Sequence, residues 1–223
     1  MRLSKQDEGT GDHFSFHPAY SIVFLAIVVT VFTAWFTHQS IIRWSLLYSD
    51  WQDLGSIDSA AYNTVYGNFM FSNSRLYSFW SDHFSPILLV LSLYYVFDDS
   101  YYFIFLWQAS SVALTAIPLF LISKHFLKNE YIALLISFAY LANGNIHMGI
   151  LYDYHMISHV GLFALSAFYF MLKRRWGWYL FFGTLLMFLK EDTPIIFFMM
   201  GFYAAFALKE YRAAAITWAY SGA

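Results

Sequence analysis

The chain has 223 residues, of which 60% are hydrophobic, 23% aromatic and only 12% charged, with a net charge of −2. An ordinary soluble domain is about a quarter charged, so this balance excludes a disordered chain, a coiled coil and an ordinary soluble enzyme, and it gives nucleic acid no basic footprint. Cysteine is absent, which excludes disulfides, thiolate metal sites and cysteine nucleophiles.

Residues 1–17 are polar, carry no apolar run of the kind a signal peptide needs, and read as a cytoplasmic tail. Residues 18–42 hold no Asp, Glu, Lys or Arg, and their apolar part, 20–37, is long enough to cross a bilayer. An outer loop follows over 43–100, mixed and polar up to residue 85. Residues 86–97 are apolar, but a helix of that length rises only about 18 Å against a hydrocarbon core of roughly 30 Å. They predict a re-entrant or interfacial segment, entered at Pro86 and stopped at Asp98-Asp99. Further spans are predicted over 101–123, 131–143, 156–172, 176–189 and 193–208, with a loop over 144–155. The last two are separated by Lys190-Glu191-Asp192 and a turn ending at Pro194, because proline suits a first helical turn and disfavours helix in the residue before it. Residues 213–223 begin another apolar stretch, and the chain is expected to be part of a longer protein. The predicted fold class is all-α: a polytopic transmembrane helix bundle of six spans.

With the N-terminus in the cytoplasm, nine of the twelve lysines and arginines fall on the inner side, leaving Arg43, Arg75 and Lys190 outside. This matches the positive-inside rule. Counting 86–97 as a further crossing inverts every later loop and breaks the rule. In this topology Asp50, Asp53, Asp58, Asp82, His83, Asp153, His155, Lys190, Glu191 and Asp192 all reach the outer side, from three separate loops. Ionisable groups gathered near membrane depth point to a site.

Leu54, Ile57, Ala61 and Val65 recur at helical spacing, which predicts an amphipathic helix on the membrane surface with Asp53 at its N-cap. Capping and catalysis are compatible roles for Asp53, whereas Asp58, one turn before Tyr62, also fits a solvated face. His83 suits either contact with an anion or metal, or the capping of a helix start. His155 and His159 stand at i, i+4 with Asp153 before them, the spacing of a metal pair, but without HExxH a hydrogen-bonded pair inside the bundle is the stronger reading. Asp53, Asp153, Glu191 and Asp192 offer oxygen donors suited to Mg or Mn bound with a phosphate. Lys190-Glu191-Asp192 lies between two short apolar arms, too short to lift an exposed turn clear of the headgroups, and a Lys beside two carboxylates suits a phosphate with its counter-ion. Trp51, Tyr62, Tyr66, Trp80 and Tyr152 are candidates to stack on a sugar or prenyl chain. There is no Gly-rich phosphate loop and no nucleophile elbow.

Asp53-Leu-Gly-x-x-Asp58 with Asn63, His83-Phe-Ser-Pro86, Asp153-Tyr-His155 and Lys190-Glu-Asp192, in this order, resemble a family of predicted prokaryotic membrane proteins of unknown function. That family is similar to the GT-C superfamily of polytopic glycosyltransferases, which includes oligosaccharyltransferases, protein mannosyltransferases and aminoarabinose transferases. The resemblance covers about residues 18–212 and implies a cell-membrane location and a sugar donor linked to polyprenyl phosphate. It implies an essential acid in the first outer loop, matched by Asp53 with Asp58 second. It also implies a short apolar segment before the second span, matched by 86–97, and a basic residue at the lipid phosphate, matched by Lys190. The remaining contacts to phosphate, sugar or acceptor fall to His83, Asp153, His155, Glu191 and Asp192, and the metal candidates are Asp153, Glu191 and Asp192. The first loop lacks an Asp-x-Asp pair, a departure from metal-dependent members. The rival expectations are a lipid or small-molecule transporter or flippase, whose helices are also broken near charged groups, and a non-catalytic membrane subunit.

Overall fold

The computed structural model describes residues 18–48 and 51–222. The expected tail, residues 1–17, and Asp50 lie outside the described residues, as does the side chain of Trp51. Helix α1 (Pro18–Ser45) is longer than its predicted span. Leu25, Val29, Phe32 and Phe36 are buried along one stripe at spacings of four, three and four, while Val23, Phe24, Ile27, Val31 and Trp35 stay exposed. That is one packed face of a helix whose other face is apolar all the same. The stripe meets α4 (Tyr102–Leu114), which continues through Thr115 into α5 (Ala116–Leu127).

Lys128 takes a left-handed backbone (φ 55) to end α5, and Asn129 caps α6 (Glu130–Leu141), its side chain accepting from the Tyr131 and Ile132 amides. Residues 144–152 form α7 (Gly144–Tyr152) where the sequence predicted loop. The Asn143 side chain caps it by accepting from the Asn145 amide, and Ile146 and Ile150 sit one turn apart against the α1–α4 core. Cap and stripe together outweigh the polar residues that suggested a loop. Helices α6 and α7 meet at a bend of 41°. A 3₁₀ turn (Met156–His159) leads into α8 (Val160–Leu172), followed by α9 (Trp176–Met187), α10 (Pro194–Phe206) and α11 (Tyr211–Ser221).

Among the described residues, Tyr20–Ser45 and Tyr102–Leu127 are long and apolar enough to cross a membrane, and the bent α6–α7 pair makes a third if it acts as one span. Met156–Leu172 and Pro194–Phe206 are shorter apolar helices. The predicted break between α9 and α10 is present, with Pro194 in the first turn of α10. There the helices close tightly: a Cβ on Gly183 would fall 2.2 Å from the Phe197 ring.

Between α1 and α4 the chain builds a small cap. Helix α2 (Trp51–Val65) starts earlier than predicted, so Asp53 lies inside its first turn rather than at the N-cap. A carboxylate there still opposes the positive end of the helix dipole. The predicted apolar stripe exists, but Leu54, Ile57 and Ala61 are buried in the same core as Leu88, Leu91 and Tyr95 of α3 (Leu88–Tyr95), so protein covers it. Helix α3 is the predicted short segment; its eight residues rise about 12 Å, too few to cross. A two-stranded hairpin links α2 to it, with β1 (Phe71–Ser72) antiparallel to β2 (Tyr77–Ser78) and Phe71 opposite Ser78.

Candidate functional site

A cavity of about 240 Å³ opens where this cap meets the ends of the apolar helices, and Asp53, Arg75, His83, His155 and Lys190 all line it. They come from α2, the hairpin, the loop before α3, the loop after α7 and the α9–α10 turn. Four of the five were site candidates in the sequence; Arg75 was noted only as an outer-side charge.

Asp53 stands at the meeting point, with Arg75 Nη2 3.9 Å from one carboxylate oxygen and His155 Nδ1 4.0 Å from the other. The hairpin presents Arg75, whose Nε donates to Ser56 Oγ at 3.2 Å and whose guanidinium lies over the Phe79 ring and pairs with Asp82. Asp82 also accepts from the Tyr77 hydroxyl at 2.8 Å. That bond above all, with the Arg75 contact, holds the Asp82 carboxyl below its usual range. Asp82 thus anchors Arg75 and is not among the cavity-lining residues.

His83 is held by its backbone, its amide donating to the Phe79 carbonyl at 2.9 Å. Its Nδ1 lies 3.0 Å from Oε1 of Glu191, which leaves Nε2 as the ring nitrogen for a ligand. The loop that follows is pinned to the α9–α10 turn by the Ile87 amide, which donates to the Phe188 carbonyl at 3.1 Å. Thr193 stiffens that turn by donating its hydroxyl to the Leu186 carbonyl at 2.6 Å and to the Lys190 carbonyl at 2.8 Å. Lys190 is thereby presented to the cavity from a braced turn. Burial pushes the Glu191 carboxyl up, but its bond with His83 and the nearby Lys190 charge bring it below the usual value.

Asp153 lies beneath the site rather than in it. It is buried, and its carboxylate accepts from the Tyr154 amide at 2.8 Å and from the Leu54 amide at 3.4 Å, tying α2 to the bundle. Burial lifts its carboxyl to about 6 against those hydrogen bonds. Gln108, buried within α4, holds the same loop: its amide donates to the Ile150 and Asp153 carbonyls and its Oε1 accepts from the His155 amide. The signal of this role in the sequence is the single amide side chain in the predicted span 101–123.

The structure separates His155 from His159. Residues 153–155 are not helical, so the two histidines do not share a helix face. His155 stacks on Tyr152 and faces Asp53, while His159 is fully buried with its Nε2 3.1 Å from the Tyr154 hydroxyl. Asp58 is half-buried and accepts from the Tyr95 hydroxyl of α3, away from the cavity lining. Asp192 is exposed and does not line it. The metal candidates therefore do not converge: Asp153 serves α2, Glu191 serves His83, and Asp192 stands apart. No group of three or more His, Asp or Glu side chains among the described residues is placed to hold a metal ion. Of the aromatic candidates, Tyr62 packs on Tyr66 and Tyr95, and Trp80 on Phe69 and Phe84.

One carboxylate among two histidines, a lysine and an arginine, in a partly enclosed space, is suited to bind an oxyanion and to accept a proton beside it. Residues 43–223 match the family described as Predicted membrane protein (DUF2079), and the chain belongs to that family. No curated protein and no solved structure matches it.

Proposed function

We propose that this family member is a membrane glycosyltransferase-like protein that moves a sugar from a polyprenyl-phosphate donor to an acceptor at the outer face of a cell membrane, as an inverting GT-C-type enzyme. The observation that supports the reading is the convergence of Asp53 with Arg75, His83, His155 and Lys190 on one cavity. Asp53 takes the proton from the acceptor hydroxyl as its oxygen bonds to the anomeric carbon. The bond from that carbon to the phosphate oxygen breaks, and its electron pair stays on the lipid phosphate. Lys190 and Arg75 stabilise the charge developing there, while His83 and His155 contact the phosphate or the acceptor. Arg75 and His155, at 3.9 and 4.0 Å, also orient the Asp53 carboxylate.

The test is transfer of labelled sugar from a polyprenyl-phosphate donor by the full chain in vesicles. Asp53→Asn is expected to abolish transfer with membrane insertion intact, and full activity in that variant removes the assignment. One observation favours a second reading. The 41° break between α6 and α7 is of the kind found in transporters with discontinuous helices. Substrate flux without product in the same vesicles selects a transporter or flippase instead.

A further inference from the structure

We infer that Ser85 contacts the ligand directly, its hydroxyl donating a hydrogen bond to a phosphoryl oxygen held beside His83 and Lys190. The inference rests on the proposed function only in taking the cavity as an anion site.

Ser85 lines the cavity, is 1% exposed, and its Oγ has no hydrogen-bond partner among the described residues. Folded proteins leave few buried hydroxyls unpaired, because such a group gives up its bonds to water and gains nothing in return. The local alternatives are already taken. A serine ahead of a helix commonly caps it by accepting from a backbone amide of the first turn. Here the amides of Leu88, Leu89 and Val90 go to the backbone carbonyls of Ser85, Pro86 and Ile87, and the Ile87 amide goes to Phe188. Pro86 has no amide hydrogen to offer.

The position is also fixed. The tie from Ile87 to Phe188 and the braced Lys190–Thr193 turn hold the segment that carries Ser85 against the one that carries Lys190, and both residues line the cavity. The chemistry of the ligand follows from the neighbours. Asp82 pairs with Arg75 and Glu191 with His83 just outside the lining, so the anion is met chiefly by Lys190 and by the second ring nitrogen of His83, and a tetrahedral phosphate accepts several donors at once. A serine hydroxyl supplies one more donor with no added charge.

The test uses the full chain in phosphatidylcholine nanodiscs, titrated calorimetrically with inorganic phosphate and, separately, prepared with and without polyprenyl phosphate. Ser85→Ala is expected to weaken binding by about ten-fold or more, the scale of one hydrogen bond to a charged group. Its thermal midpoint should stay equal or rise, because alanine removes a buried hydroxyl that has no protein partner. Ser85→Cys, close in size but a far weaker donor, should lose as much. Binding of polyprenyl phosphate alone assigns the phosphoryl group to a lipid, and binding of inorganic phosphate as well assigns it to phosphate generally; either carries the inference if Ser85 controls it. Undiminished binding by Ser85→Ala overturns it, as does no binding by the wild type, or a midpoint that falls together with affinity. Ser85-dependent binding in a protein that transfers no sugar removes the glycosyltransferase reading and leaves this one standing.

Discussion

The side-chain amide of Gln108 donates to the backbone carbonyl of Asp153 at 3.0 Å. The same amide reaches the Ile150 carbonyl, also at 3.0 Å, and its oxygen accepts from the His155 amide at 2.9 Å. One amide side chain of α4 thus satisfies three backbone groups at the end of α7 and in the loop that delivers His155 to Asp53. Gln108→Leu leaves those groups unpaired in a buried place, where each costs about 1–3 kcal/mol. Relaxation recovers part of that, so a net loss of about 2–4 kcal/mol is expected. A thermal melt in detergent checks it, and the anion affinity of the cavity should fall in the same variant because His155 loses its anchor. An unchanged midpoint would show that the loop is held by other means.

Asp153 gives the protein a pH dependence of definite sign. Burial lifts its carboxyl to about 6 in the folded protein, against about 3.9 in an unfolded chain. Between these values the native state binds more protons than the unfolded state, so stability falls as pH rises from about 4 to about 6. The difference is about 2–3 kcal/mol. Asp58, also raised by burial, adds to the same trend, whereas Asp82, Asp98 and Glu191 are held below their usual values and act in the opposite sense at more acid pH. Asp153→Asn should flatten the fall in melting temperature over that window, leaving the smaller share of Asp58. A variant whose profile superposes on the wild type would locate the titration elsewhere.

Much of this arrangement was legible in residue pattern, and the exceptions share a cause. The stripe of Leu54, Ile57, Ala61 and Val65 correctly marked a helix, and Pro194 correctly marked the start of α10. A stripe records only that a face is covered, not by what, so α2 was expected on lipid although α3 covers it. The α7 helix was missed because its apolar stripe is short and its cap, Asn143, also reads as a turn residue. Asp53, His83, His155 and Lys190 stood out as charges beside apolar runs. Arg75 and Gln108 did not, because their roles depend on partners 7 and 47 residues away that only the fold brings near, and Ser85 did not, because it meets Lys190 only through the fold. Asp58 and Asp192 carried the same sequence signal as Asp53 and Lys190, yet helical phase turns Asp58 toward Tyr95 and the turn leaves Asp192 in the open.

The contact between His83 Nδ1 and Glu191 Oε1 can be separated from a purely structural role by its expected energetics. Both side chains are well exposed, at 37% and 46%, and exposed pairs of this kind contribute about 0–1 kcal/mol to folding. Glu191→Ala should therefore leave the thermal midpoint nearly unchanged. The ring of His83 would then lose the carboxylate that fixes its orientation, and phosphate affinity and sugar transfer should fall by about ten-fold, the scale of one misaligned hydrogen bond to a charged group. Because Glu191 is expected to act through His83, its removal should matter little once the imidazole is gone. In a double-mutant cycle, Glu191→Ala combined with His83→Ala should be no worse than His83→Ala alone. Simple addition of the two effects would instead mean that Glu191 meets the ligand on its own account, and the positioning role would fail.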